Sequence, residues 1–342
     1  MVDAIQLSVA RRVVPELLEV LQERVRILNR IGLLQPIGRR GLAAELGTTE
    51  RILRAEVDFL KQQGLLVAAA AGMSLSVEGQ SLLEELNQVL AELDGRSELS
   101  SMLARKLGIG RVMVVNGDSD EAEWVKNTLG SEAAVYLRSV LQAEDVVAVT
   151  GGSTMAAVAA RMPHAGAAVP VKVVPARGGL GENVSLQANT IASELAEHLG
   201  GTSVMLHVPD RLSEDTLQMI VKEPMVQERL TEIRNSTVIV HGIGEATSMA
   251  GRRQSTPQEI GLLEQRGAVA EAFGYYFDAN GSIVYEMNVI GLRISDLERV
   301  RLVIGVAGGG SKADAIAAAA KAYRIDVLVT DEGAARRLLR DN

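Results

Sequence analysis

"DVVAVTGGSTMAAVAARM", residues 145–162, runs from an apolar stretch into two glycines, two hydroxyl residues and an alanine-rich helix. A short apolar run, a glycine turn and a helix make one strand–helix unit of a layered α/β fold. Glycine lets the backbone approach a ligand closely, and the free N–H groups at a helix start favour an anion. Further along, "VAGGGSKADAI" at 306–316 repeats the order of strand, glycines, hydroxyl and helix. Between and around these two stretches lie apolar runs that read as strands: Val112–Val115, Val146–Thr150, Val171–Pro175, Val204–Val208, Thr237–His241, Leu302–Ala307 and Val327–Thr330. Helical stretches separate most of them. That alternation predicts an α/β fold with a doubly wound, mainly parallel sheet. Ligands of such sheets bind beyond the carboxyl ends of the strands, where both glycine loops fall.

Neither loop matches the G-x-x-x-x-G-K-[ST] nucleotide loop or the G-x-G-x-x-G dinucleotide turn. Either one alone reads equally well as a tight connection. Two on one sheet edge point to an anion site. Cations follow them: Lys312 after the second loop, Arg177 in "PARGGLGEN" with Gly178 and Gly179, and Arg252 in "SMAGRRQS". A guanidinium grips phosphate bidentately. Two loops and three cations exceed what one phosphate needs, so the expected ligand is a bisphosphate, or a phosphate with a second anionic group. Asn183, Gln187 and Asn189 offer neutral partners for hydroxyls. Arg253 reads as a surface ion pair.

Composition bounds these readings. The 342 residues suggest two domains. With no cysteine there can be no disulfide or thiolate metal site. The four histidines (His164, His198, His207, His241) show no ligand spacing, so neither metal nor cofactor is expected. No apolar window is long enough to span a membrane and no signal sequence opens the chain, so a cytoplasmic location is expected. The net charge of −8 argues against nucleic acid until its distribution is considered. Residues 1–66 hold ten Lys/Arg and eight Asp/Glu, net +2, which leaves −8 − 2 = −10 for the rest. A mildly basic head on an acidic body allows DNA binding by the head alone.

The head begins with "PELLEVLQERVRILNRIGLLQPIG", an amphipathic helix with Leu17, Leu21, Val25, Leu28 and Ile31 at helical spacing. A short helix from about Arg39 to Leu46 follows and should stop at Gly47. Thr48 or Thr49 then caps a second helix whose inward positions read as Ile52, Leu53, Val57, Phe59 and Leu60, closed by Gly64. Two short helices across a tight turn form a helix-turn-helix, and "LLVAAAAGMSLSVEG" adds a two-stranded wing about Gly72. The N-terminal residues of the second helix read base edges in such units, which nominates Thr48, Thr49, Arg51 and Arg54. Arg39 and Arg40 are placed to hold phosphates. The competing reading is a helical subdomain with solvated arginines.

Residues 78–107 carry an apolar stripe (Leu82, Leu86, Val89, Leu93) that suits a linker helix pairing between subunits or one packed on its own body. The expected domains are therefore a winged helix-turn-helix at 1–77, a linker region at 78–107, and a ligand-binding and oligomerisation domain at 108–342.

The series "VTGGSTM", "ARGG", "QAN", "GRR", "EAFGYYFD" and "GVAGGGSKADAI" resembles the SorC-type sugar-responsive transcriptional regulators, and the similarity extends over essentially the whole chain. It is greatest with the branch that controls glycolytic genes. The resemblance implies a body with the fold of sugar-phosphate isomerases and deaminases. It also implies a homo-oligomeric repressor that binds operator DNA and is induced by fructose-1,6-bisphosphate. By motif, the ligand set would be Gly151, Gly152, Ser153, Thr154, Arg177, Gly178, Gly179, Gln187, Arg252, Glu271, Gly310, Ser311 and Lys312, with Glu271 accepting from sugar hydroxyls. The alternative is a sugar-phosphate isomerase or deaminase. Against it, "HGIGEATSM" keeps Gly242-Ile243-Gly244 but has Glu245-Ala246-Thr247 where the deaminases carry an Asp-Gly-His stretch, so the acid–base pair is missing there. The expectation is a ligand that is read and not turned over.

Overall fold

The computed structural model describes residues 15–46, 48–93, 96–163, 169–179, 183–209 and 212–340. The chain divides into two compact units after Glu98.

The first unit opens with α1 (Pro15–Leu34), α2 (Arg39–Glu45) and α3 (Glu50–Gln62). Thr49 caps α3, its hydroxyl accepting from the Ile52 N–H at 3.4 Å. Gly47, expected to stop α2, lies outside the described residues. A hairpin of β1 (Leu66–Ala69) and β2 (Gly72–Leu75) follows, and Ile37 joins it as a bridge to Met73. Val25, Leu28, Ile31, Leu42, Leu53, Val57, Leu60 and Met73 form the core. Two inward assignments fail. Ile52 is 63% exposed, and Phe59 lies at the surface under the Arg24 guanidinium, 3.9 Å from its ring centre. Arg24 is held there by an ion pair with Glu56 at 2.8 Å, so a cation and not the core covers Phe59.

The linker 78–107 is not one helix. It forms α4 (Val77–Leu93) and α5 (Arg96–Leu107). Leu82, Leu83 and Leu86 of α4 pack on the head's own core, which settles that part of the stripe as internal packing.

The second unit is built on a seven-stranded, wholly parallel sheet. In chain order its strands and flanking helices are β3 (Arg111–Val115), α6 (Glu123–Val140), β4 (Val146–Val149), α7 (Ser153–Ala160), β5 (Lys172–Pro175), α8 (Ala188–Leu199), β6 (Thr202–Ser203), α9 (Glu214–Ile220), α10 (Pro224–Arg234) and β7 (Val238–Gly242). An inserted subsheet comes next: β8 (Gly244–Glu245), α11 (Ala246–Arg252), α12 (Pro257–Gln265), β9 (Ala268–Ala272), β10 (Tyr275–Asp278) and β11 (Ile283–Glu286). The chain closes with β12 (Leu302–Val306), α13 (Ala313–Ala322), β13 (Val327–Asp331) and α14 (Glu332–Arg340).

The strand order is β3-β13-β12-β7-β4-β5-β6. The chain runs outward through β4, β5 and β6, returns to β7 beside β4, and then runs outward the other way. The switch of direction falls between β4 and β7, and at such a point the following loops part to leave a crevice. Both faces of the sheet are covered, which is why its strands read as unbroken apolar runs. Val147 and Val149 face α6, α7 and α8, while Ala148 faces the opposite layer containing α13.

The sequence reading missed the four-stranded antiparallel sheet, ordered β11-β10-β9-β8, and overran one strand. Val204–Val208 is not in the sheet, because β6 ends at Ser203. The Leu206 N–H and C=O are instead taken by the side-chain amide of Asn189 at 2.9 and 3.0 Å. That also removes Asn189 from the expected ligand partners.

Candidate functional site

A cavity of about 570 Å³ opens at the carboxyl ends of the strands, with the loops after β3, β4, β7 and β12 among its walls. The β4 loop is tied across the switch point, since the Gly242 N–H donates to Thr150 Oγ1 at 3.1 Å. Gly151 follows with no room for a side chain, because a Cβ there would stand 2.6 Å from the Leu186 carbonyl. Gly152 then turns with φ +112°, a conformation closed in practice to other residues, and α7 begins at Ser153. No side chain caps that helix start. Its first N–H groups and its dipole are therefore available to an anion at the cavity wall.

The floor holds a buried ionic triad. Glu271 Oε1 accepts from Arg253 Nη2 at 2.8 Å, from Arg177 Nη1 at 3.2 Å and from the Gly274 N–H at 2.9 Å. The three side chains are 2–6% exposed, so each charge depends on the others. Burial pushes the Glu271 carboxyl up, but Arg253, Arg177 and the hydrogen bonds outweigh it and hold the group below its usual value. Arg253 is thus not the surface ion pair expected. It is buried against Tyr276 and Met287. Glu271, expected to accept from sugar hydroxyls, gives Oε1 wholly to the protein. Beside the triad, Phe273 and Gly274 turn β9 into β10 with φ of +55° and +86°. This two-residue turn puts Phe273 in the cavity wall and against His241, 4.8 Å between ring centres.

Four further cations line the cavity: Arg337, loosely paired with Asp314 at 3.8 Å, and Lys126 of α6, Arg252 at the end of α11 and Lys312. The last three have no ion-pair partner within reach among the described residues. Burial, then Arg252 and Lys126, pull the Lys312 ammonium below its usual pKa, while Asp120 and Asp331 act the other way. A cluster of like charges at a cavity wall favours the binding of an anion.

The second glycine loop differs from the expectation. Its N–H groups already have acceptors: Gly309 donates to Asp331 at 2.7 Å, Gly310 to Asp118 at 3.3 Å, and Ser311 to Asp120 at 2.7 Å. Gly309 turns with φ +99°, and a Cβ there would meet the Asp120 carboxylate at 2.4 Å. The glycines at this loop admit the protein's own carboxylates.

Of the residues expected from sequence, Gly151, Gly152, Ser153, Thr154, Arg177, Gln187, Arg252, Glu271, Ser311 and Lys312 meet at the cavity. Three do not line it. The Gly178 N–H is taken by Ile290 and that of Gly179 by Val208, while Gly310 is turned to Asp118. The sequence reading missed Ser119, Asp120, Lys126 and Phe273, which do. Glu245 lines it too, but its carboxylate accepts from the Thr247 and Ser248 N–H groups, which hold it below its usual value against the opposing pull of burial. A carboxylate held as an anion makes a poor general acid.

In the head, Arg40, Arg51 and Arg54 are exposed with no ion pair among the described residues. Arg39 is loosely paired with Asp58 at 3.9 Å. Thr49 is committed to capping α3, and the Thr48 N–H is bonded to the Ala43 carbonyl, which fixes the turn.

Comparison with known proteins agrees with both units. Residues 91–340 match the family described as "Putative sugar-binding domain", and residues 20–90 match the "CggR N-terminal DNA binding domain". The chain is 45% identical over 336 residues to the central glycolytic genes regulator of Priestia megaterium, covering 98% of each. It is 44% identical to that of Bacillus subtilis, covering 97% of each. Among solved structures, a SorC family regulator from Enterococcus faecalis is 40% identical with a TM-score of 0.66, covering 71% of this chain and 99% of that one. The full-length sorbitol operon regulator of Klebsiella pneumoniae, at 18% identity and a TM-score of 0.69, covers 94% of this chain and 98% of that one and shares the fold. The chain belongs to the SorC family of transcriptional regulators, with a DNA-binding head and a sugar-binding body.

Proposed function

We propose that this chain represses glycolytic genes by binding operator DNA through residues 1–77, and that fructose-1,6-bisphosphate, bound by residues 108–342, releases it. Residues 78–107 link the two, and the working form is a homo-oligomer, because one helix-turn-helix covers only one half-site. The gene class follows the names of the Priestia megaterium and Bacillus subtilis relatives. One observation carries the ligand class: Lys126, Arg252 and Lys312 share a cavity wall without carboxylate partners, while an uncapped helix start faces the same cavity. A helix start and a cluster of cations on one cavity suit a ligand with more than one anionic group.

The test is a thermal-shift screen of sugar mono- and bisphosphates on the full chain, with the best ligand carried into operator binding. Fructose-1,6-bisphosphate should give the largest shift, well beyond either monophosphate and glucose 6-phosphate. Equal shifts from glucose 6-phosphate and the bisphosphate would remove the two-anion site.

A further inference from the structure

The two glycine loops are in different conditions. The first presents an uncapped helix start. In the second, the Gly309, Gly310 and Ser311 N–H groups are each held by a carboxylate, and the three carboxylates are held with unequal firmness. Asp331 is fully buried and accepts from the N–H groups of Gly309, Ser119 and Ala334 at 2.7 to 2.9 Å. It is part of the frame. Asp118 is half-buried and also accepts from the Asp120 N–H at 2.9 Å, closing its own turn. Asp120 is exposed, and among the described residues its carboxylate hydrogen-bonds only Ser311, through the N–H at 2.7 Å and the hydroxyl at 3.0 Å.

The turn carrying Asp120 is anchored at its base. The Gly117 N–H donates to Glu332 at 3.1 Å, the Gly333 N–H to the Gly117 carbonyl at 3.1 Å, and the Ser119 N–H to Asp331. Only the Asp120 side chain can leave without breaking this base. It also lines the cavity beside Lys126, Arg252 and Lys312.

We propose that Asp120 is an internal stand-in for a phosphate group: its carboxylate holds the Ser311 donors, and a ligand phosphate reaches them only by displacing it. The proposal rests on the bisphosphate reading above and adds an affinity-setting residue to that site. A phosphate dianion brings more charge and more acceptor oxygens to the three cations than one carboxylate does, so the exchange runs toward the ligand. Breaking the Asp120 contact subtracts from the affinity and thereby raises the concentration at which the site fills. A neutral hydroxyl gains nothing from these cations and leaves Asp120 in place. Asp120 therefore acts against the second phosphate and is indifferent to a monophosphate seated on the first loop.

The experiment is calorimetric titration of the full chain and its Asp120→Asn and Asp120→Ala variants with fructose-1,6-bisphosphate, fructose 6-phosphate and fructose 1-phosphate. Both variants should bind the bisphosphate about tenfold more tightly, the order expected when a charge-assisted contact no longer has to be broken. Monophosphate affinities should stay within about twofold of the unmodified chain. Asn keeps the shape of the turn, so it answers for any unfolding caused by Ala. Unchanged or weaker bisphosphate binding in both variants overturns the proposal, and weaker binding would make Asp120 a direct ligand contact. If the unmodified chain binds no sugar bisphosphate, the ligand reading fails separately. The exchange is then read with inorganic pyrophosphate in a thermal-shift assay, where a larger stabilisation of Asp120→Asn than of the unmodified chain supports it and an equal one overturns it.

Discussion

Glu271 and Lys312 carry opposite charges in one cavity, and their surroundings treat those charges in opposite ways. Two guanidiniums and a backbone N–H favour the Glu271 anion, whereas burial and two neighbouring cations disfavour the Lys312 cation. Their substitutions should separate accordingly. Glu271→Gln leaves two buried guanidiniums short of a counter-charge and should cost about 3–5 kcal/mol of stability. Lys312→Gln should leave the denaturation midpoint level or higher while weakening bisphosphate binding roughly 10- to 100-fold, one charged hydrogen bond of about 1.5–3 kcal/mol. Urea denaturation beside calorimetry reads both, and a stability loss in Lys312→Gln would contradict this division. His241 adds a pH dependence. Its Nδ1–H donates to the Gly242 carbonyl at 3.1 Å, Nε2 has no partner, and burial pushes its pKa down to about 4. The folded value lies below the unfolded value of about 6.5, so the unfolded chain takes up the proton first. The stability is fully present above about pH 6.5 and falls by roughly 3 kcal/mol as pH drops toward 4. Glu271, also depressed, loses its contribution only below the ordinary carboxylate range, so the two windows are distinct. His241→Gln should flatten the stability profile between pH 6.5 and 5, and an unflattened profile would assign the acid sensitivity elsewhere.

At the scale of elements, α3 carries a direct test. Arg54 is exposed in its second turn, and Ile52, read from sequence as core, stands 63% exposed in its first. An exposed apolar side chain on a reading helix suits a thymine methyl, and an arginine suits guanine. Arg54→Ala should cost about 1–3 kcal/mol on the specific operator and little on unrelated duplexes. Ile52→Ala should leave the melting temperature unchanged but narrow the operator's advantage over unrelated DNA. Anisotropy on both duplexes decides, and equal losses everywhere would make Arg54 a phosphate contact. What the sequence made legible depended on how local the cause was. The parallel strands, α1 and the Thr49 cap follow from runs and spacings within one element. Ile52 and Phe59 were misassigned because what covers them, solvent and Arg24, is set by another helix. The inserted antiparallel sheet had a local signal that went unused: "DANGS" places Asn280-Gly281 between apolar runs, the mark of a tight hairpin. The Asp118–Asp120 turn had none, because its partners lie some 190 residues away in sequence.

For the whole molecule, the question is how a sugar held by one unit alters the grip of the other on DNA. The cavity proposed for the ligand is walled entirely by residues of the second unit, and α3, the proposed reading helix, belongs wholly to the first. Two distinct sites joined by a conformational equilibrium are linked reciprocally: whatever factor the sugar removes from operator affinity, the operator removes from sugar affinity. A typical coupling of about 1–3 kcal/mol is roughly 5- to 150-fold. The charge distribution adds a control. The head carries the chain's net positive charge and the body its negative charge, so phosphate contacts should come from the head alone. If the bisphosphate merely screened the head, its effect would shrink as salt rises, in step with nonspecific binding. If it shifts an arrangement of subunits, the ratio of operator affinities with and without sugar should persist at each salt concentration, while both affinities fall. The measurement is fluorescence anisotropy on a two-half-site operator at several salt concentrations, with and without fructose-1,6-bisphosphate. Calorimetry of sugar binding to the operator-bound chain closes the cycle. The factor by which the sugar lowers operator affinity should equal the factor by which the operator lowers sugar affinity. An operator affinity unmoved by saturating bisphosphate would end the inducer role, and the cavity would then stand as a binding site without an output.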